Sequence, residues 1–169
     1  MGVFGKSPIP LPFFVIGKIA LFACALFFIV RRLKLDTMLY DSPCTRTVGV
    51  VLYAIGLLIV IVSLLQLGQS AAVGIPERYT ELKTHGMYRL SRNPIYLGAF
   101  ISCAGSCFFS IHVANFLFFA VAVVVHVWIV TKEEEFLEKR FGQQWLDYRQ
   151  QVPRFMGKFW RSGSHRDSA

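Results

Sequence analysis

Residues 113–130, VANFLFFAVAVVVHVWIV, carry no formal charge, and residues 131–145, TKEEEFLEKRFGQQW, follow with three consecutive glutamates. An uncharged run of about eighteen residues can cross a hydrocarbon core of roughly 30 Å as a helix. Three further runs, 13–30, 49–67 and 95–111, have similar length and almost no internal charge. A backbone in lipid must satisfy its own hydrogen bonds, so all four are expected to be helical. The sequence therefore predicts an all-α integral membrane protein, a single membrane domain over 1–169 with about four transmembrane helices. Such a chain leaves no room for a Rossmann-type cofactor fold.

Composition agrees. Hydrophobic residues make up 54% of the chain and charged ones only 17%, against about 25% in an average soluble domain. The net charge of +8 sits between the spans and in the tail, where it suits an anionic membrane surface and not nucleic acid. Four spans put both termini, the 68–94 segment and the tail from Lys132 on one side. Arg78, Lys83, Arg89, Arg92 and the cations after residue 131 make that side cytoplasmic. The loop after the first span, with Arg31, Arg32, Lys34 and Arg46, carries the opposite bias. That span is the weakest, because Lys18 has to snorkel to the near interface. No small-residue cleavage site follows it, so it is expected to be retained and not removed as a signal peptide. Cys24, Cys103 and Cys107 fall inside spans and Cys44 in a loop, with no ligand spacing; they read as buried small hydrophobes, and no metal site is inferred.

Beyond the last span, Leu137, Phe141, Trp145 and Tyr148 recur at i, i+4, i+8 and i+11. This predicts an amphipathic interfacial helix over 133–150 with one apolar stripe. At about 100° per residue, Glu133 and Glu134 flank the stripe while Glu135 points away. The last residues, 162–169, are small and polar and are expected to be disordered.

Two polar clusters bracket the final apolar hairpin: Leu82–Arg89 running into Arg92-Asn93-Pro94-Ile95-Tyr96, and Glu133-Glu134-Glu135 running to Val152-Pro153-Arg154-Phe155. Each has an ordinary structural reading. Asn93 and Pro94 suit a helix N-cap and first turn. Gly98, Ser102 and Gly105 suit close helix packing. The glutamates suit a helix N-terminus, where the dipole favours acid. That reading does not require two carboxylates on the aromatic face. His126, inside a span, faces either a cavity or a neighbouring helix. His85 reads as a turn residue and His112 as an interfacial one, and His165 lies in the tail.

As an ordered set these residues resemble the membrane methyltransferases that include isoprenylcysteine carboxyl methyltransferase and phosphatidylethanolamine N-methyltransferase. The pattern is carried by Leu82, Thr84, Gly86 and Tyr88; by Arg92, Asn93, Pro94, Tyr96 and Gly98; by Glu133, Glu134, Leu137, Phe141 and Gly142; and by Val152, Arg154 and Phe155. It covers about Leu82 to Phe155. Asn93 stands where the isoprenylcysteine branch usually has His and looks closer to the phospholipid branch; the Phe-Gly and Val-x-Arg-Phe elements look closer to the isoprenylcysteine branch. Some relatives carry an Arg a turn before the glutamates, where this chain has Ile129 and its neighbours; Lys132 or Arg154 could take its place.

The resemblance implies S-adenosylmethionine as cofactor, bound by Thr84, Gly86, Tyr88, Arg92, Asn93, Pro94, Tyr96, Glu133 and Glu134, with Arg92, Glu134 and Arg154 at the catalytic centre. It implies a lipidic or small apolar methyl acceptor reached from the membrane lipids. An Arg can hold a carboxylate bidentately, and Tyr88, Tyr96 and Trp145 can stack on adenine or face a sulfonium. Trp145 and Tyr148 are expected to pack inward as the C-terminal helix closes the site. An NADPH-dependent membrane sterol or enone reductase shares a similar Pro-x-Tyr turn and is the alternative enzyme. A non-enzymatic adaptor or pore would leave both clusters as unrelated decoration.

Overall fold

The computed structural model describes residues 9–33, 39–68 and 81–156. Helix α1 (Leu11–Arg32) starts after Pro10. Helix α2 (Pro43–Leu67) is capped by Ser42, whose hydroxyl accepts from the Cys44 amide at 3.3 Å, with Pro43 in its first turn. After a 3₁₀ turn at Gly86–Arg89 come α3 (Pro94–Phe109), α4 (Val113–Phe141) and α5 (Gln143–Gln151). No strand is present among the described residues; Tyr40 and Ile111 form an isolated antiparallel bridge.

Helices α1, α2 and α4 are long and apolar enough to cross a membrane. The third predicted run is apolar but forms only the 16 residues of α3, about 24 Å at 1.5 Å per residue, short of a full hydrocarbon core. Outward-facing residues such as Phe22, Leu65 and Val124 are at least 70% exposed, an apolar face suited to lipid.

The helices pair through residues that let backbones approach. Gly56 of α2 lies against Gly98 and Ser102 of α3, and Gly105 against Tyr53, with no room for a Cβ at either glycine. Gly17 of α1 meets Val125 and His126 of α4 in the same way, and Phe13 packs edge-on against Trp128. Ser106 donates to the Cys24 carbonyl, and the Asn115 amide donates to Ser106 Oγ at 3.2 Å. Both pairings are antiparallel. They gather the start of α1, the end of α2, the start of α3 and the end of α4 at one end of the bundle. Cys24, Cys103 and Cys107 are buried free thiols and Cys44 is exposed.

The expected separate helix over 133–150 is corrected. The charged segment continues the last span without a break to Phe141, and the turn comes at Gly142, whose φ of +52° favours glycine. The stripe survives the break. Trp145, Tyr148 and Val152 form a buried cluster with Leu82, Leu137, Phe141 and Leu146 packed against it. Residues 162–169 lie outside the described residues.

Candidate functional site

The site is built at the end where the helix termini meet. Gly86 has φ +61°, and a Cβ there would run into the Gln66 side chain. Gln66 Oε1 accepts from the Met87 amide at 2.7 Å, tying the 3₁₀ turn to the end of α2. Tyr88 is buried, and its carbonyl accepts from the Tyr148 hydroxyl at 2.6 Å. Burial pushes the Tyr88 phenol up to about 12, with the Glu133 charge adding to the effect. Burial also raises Tyr148. Both phenols therefore stay protonated at neutral pH, and that of Tyr148 donates.

The segment after α5 docks onto the turn before α3. The Arg92 amide donates to the Pro153 carbonyl at 2.9 Å. Ser91 Oγ donates to the Arg154 carbonyl at 3.0 Å and accepts from the Asn93 amide at 3.1 Å. Arg154 is thereby carried back onto Asn93, 61 residues earlier in the chain.

Glu134 is the centre of this end. Arg92 Nε donates to its Oε1 at 3.2 Å and Arg92 Nη2 to Oε2 at 3.5 Å. Arg154 Nε and Nη2 donate to Oε2 at 3.0 and 2.7 Å, and Asn93 Nδ2 to Oε1 at 3.0 Å. The Arg92 and Glu134 side chains are only 8% and 7% exposed, against 36% for Arg154. Arg92 also donates from Nη1 to the Arg149 carbonyl at 3.0 Å, and its guanidinium lies 5.6 Å from the Trp145 ring centroid. Burial lowers the Arg92 pKa from its ordinary value while Glu134 works against that. Two guanidiniums against one carboxylate leave a net positive charge. Trp145 is 1% exposed, and its Nε1–H has no partner.

Glu133 faces elsewhere. Its Oε1 accepts from the Tyr96 hydroxyl at 2.9 Å. Glu135 is exposed and pairs with Lys132 at 2.9 Å, turned away from the site as the helical spacing requires.

Several expectations change in detail. The glutamates do not begin a helix but lie inside α4, about two turns before its end at Phe141, so the dipole of a helix N-terminus does not account for them; Arg92 and Arg154 pair with Glu134 there. Asn93 occupies the N-cap position of α3 with Pro94 following, yet its amide bonds Glu134 and the Arg154 carbonyl, and Ser91 takes the Asn93 backbone amide instead. Pro94 is buried and Thr84 is exposed, and no bond joins Thr84 to the cluster. Of the two cations suggested by sequence, Arg154 reaches Glu134, while Lys132 does not. His126 Nδ1 meets the Ala122 carbonyl of its own helix at 2.8 Å, and no hydrogen bond joins it to a neighbouring helix among the described residues. His112 caps α4, its Nδ1 accepting from the Ala114 amide at 3.1 Å. Gln66 and Ser91 were not anticipated. A polar residue in the last turn of an apolar span was the available signal for Gln66.

The family model of phospholipid methyltransferases matches residues 44–144. Protein-S-isoprenylcysteine O-methyltransferase A of Arabidopsis thaliana is 33% identical over 112 residues, covering 62% of this chain and 55% of that protein. The chain thus spans about half the length of this curated relative. No solved structure matches. The chain belongs to the phospholipid methyltransferase family.

Proposed function

We propose that the protein is a membrane methyltransferase that uses S-adenosylmethionine and acts on a lipidic or small apolar acceptor. The observation that carries this reading is the Arg92–Glu134–Arg154 cluster, which unites the two ends of the hairpin in one partly buried, net-positive group.

The residues suit such a cofactor. Its methionyl group ends in a carboxylate, and Arg92 and Arg154 keep N–H groups beyond those used by Glu134 to hold it. Trp145 adds a buried N–H without a partner and an aromatic face. When bound, S-adenosylmethionine supplies an electrophilic methyl group on a sulfonium. For an anionic nucleophile such as a carboxylate the chain has little acid–base work to do, whereas an ammonium head would first have to lose a proton; in both cases the chain orients the reactants and keeps water out. Tyr148 and Trp145 close the site from α5, while Glu134 fixes both guanidiniums.

The relatives' names suggest two acceptor chemistries, a phospholipid and an isoprenylcysteine. Both are lipids with a polar head, in keeping with a site at the end of a membrane bundle. The positive residues at that end favour a cytoplasmic orientation, where a soluble cofactor would arrive. The test is binding of radiolabelled S-adenosylmethionine, with NADPH in parallel, to detergent-purified protein, followed by methyl transfer to a panel of both acceptor classes. Saturable S-adenosylmethionine binding with transfer supports the reading. Binding of NADPH alone replaces it with the reductase.

A further inference from the structure

Helix α1 contributes nothing to the Glu134 cluster, yet it carries a cation into the bundle. Lys18 is half-buried, with Nζ 5.1 Å from the Phe14 ring centroid and 5.9 Å from that of Tyr96. None of the ion pairs among the described residues includes it. Glu133 and His126 are close enough to interact with it through space, although Glu133 lies beyond ion-pair distance and already receives the Tyr96 hydroxyl.

His126 complements this cation from α4. A carbonyl only accepts, so the 2.8 Å contact with Ala122 O places the ring proton on Nδ1 and leaves a bare lone pair on Nε2. The side chain is fully buried, and Nε2 has no partner. The Tyr96 ring lies 5.6 Å away, and Gly17 abuts the imidazole from α1. A cation without an oxyanion and an acceptor without a donor are both unfavourable in apolar surroundings, and they do not satisfy each other. His126 precedes Glu133 by seven residues, about 10 Å along the helix, so this pair lies deeper in the span than the Glu134 cluster.

We infer that Lys18 is a positioning residue for the acceptor, its ammonium holding an oxyanion on the acceptor's polar head while His126 Nε2 takes a hydrogen bond from the same head. This rests on the methyltransferase reading and assigns its second substrate a charge. A carboxylate and a phosphodiester share the required chemistry, and the two are separated by experiment.

The full chain in detergent is titrated with two matched pairs: N-acetyl-S-farnesyl-L-cysteine against its methyl ester, and dihexanoyl phosphatidylethanolamine against dihexanoylglycerol. Wild type should bind one oxyanionic probe at least tenfold more tightly than its neutral partner, and which pair shows this names the source. Lys18→Met should erase that preference by weakening the oxyanionic probe, leaving the neutral one within twofold. Lys18→Arg should restore most of it, and S-adenosylmethionine affinity should not change. Equal weakening of both members of a pair, or wild-type protein without any oxyanion preference, overturns the inference and leaves Lys18 as a distant counter-charge to Glu133. An oxyanion preference that depends on Lys18 in protein that binds no S-adenosylmethionine overturns the methyltransferase reading instead.

Discussion

Arg154 Nη2 stands 2.7 Å from Glu134 Oε2, although a helix break at Gly142 and the whole of α5 separate the two residues. The contact exists because the backbone of Pro153 and Arg154 is held on the Ser91–Asn93 turn. One ion pair therefore reports on whether the C-terminal segment is docked.

Arg92→Lys keeps the charge but loses the planar fork that serves Glu134, the Arg149 carbonyl and the Trp145 face together. The expected loss is about 1–3 kcal/mol of stability. Arg154→Met removes a half-exposed partner and leaves Glu134 with Arg92 and Asn93, so it should cost less. Chemical denaturation of both variants in the same detergent checks the order; equal losses would contradict the burial difference between the two arginines.

Tyr148→Phe removes the hydroxyl that donates to the Tyr88 carbonyl and leaves a buried acceptor unpaired. A stability loss of about 1–3 kcal/mol is expected, with faster proteolytic cleavage near residues 142–153. A variant as stable and as protease-resistant as wild type would show that α5 is not anchored through this bond.

The antiparallel bundle places Cys44, exposed at the start of α2, at the end opposite the Glu134 cluster. In inverted cytoplasmic-membrane vesicles, a membrane-impermeant thiol reagent should spare Cys44 and label a cysteine introduced by Ser164→Cys. Labelling of both from one side would overturn an odd number of crossings by α2, α3 and α4.

The helical fold was legible because runs of that length with almost no charge have few alternatives in lipid, and the split between Glu134 and Glu135 followed from helical geometry alone. The helix break after the last span was placed too early. Charge at Lys132 suggests a stop, but the helix continues until Gly142 supplies a positive φ, and sequence marks a polarity change more clearly than a backbone break. Asn93 was placed at the right helix end for an incomplete reason, since its amide partner lies 41 residues away. Lys18 could be read only as a snorkelling cation, because its approach to Tyr96 and His126 depends on Gly17 letting α1 close on α4.

The most direct measurement is equilibrium binding of tritiated S-adenosylmethionine to purified wild type, Glu134→Gln and Glu135→Gln. Glu134→Gln keeps the shape but removes the charge that holds Arg92 and Arg154 together. At about 1.5–3 kcal/mol for a charge-assisted hydrogen bond, affinity should fall by roughly one to two orders of magnitude. Glu135→Gln, an exposed residue paired among the described residues with the half-exposed Lys132, should bind within twofold of wild type. Equal weakening by the two substitutions, or none by Glu134→Gln, would contradict a cofactor site organised by Glu134.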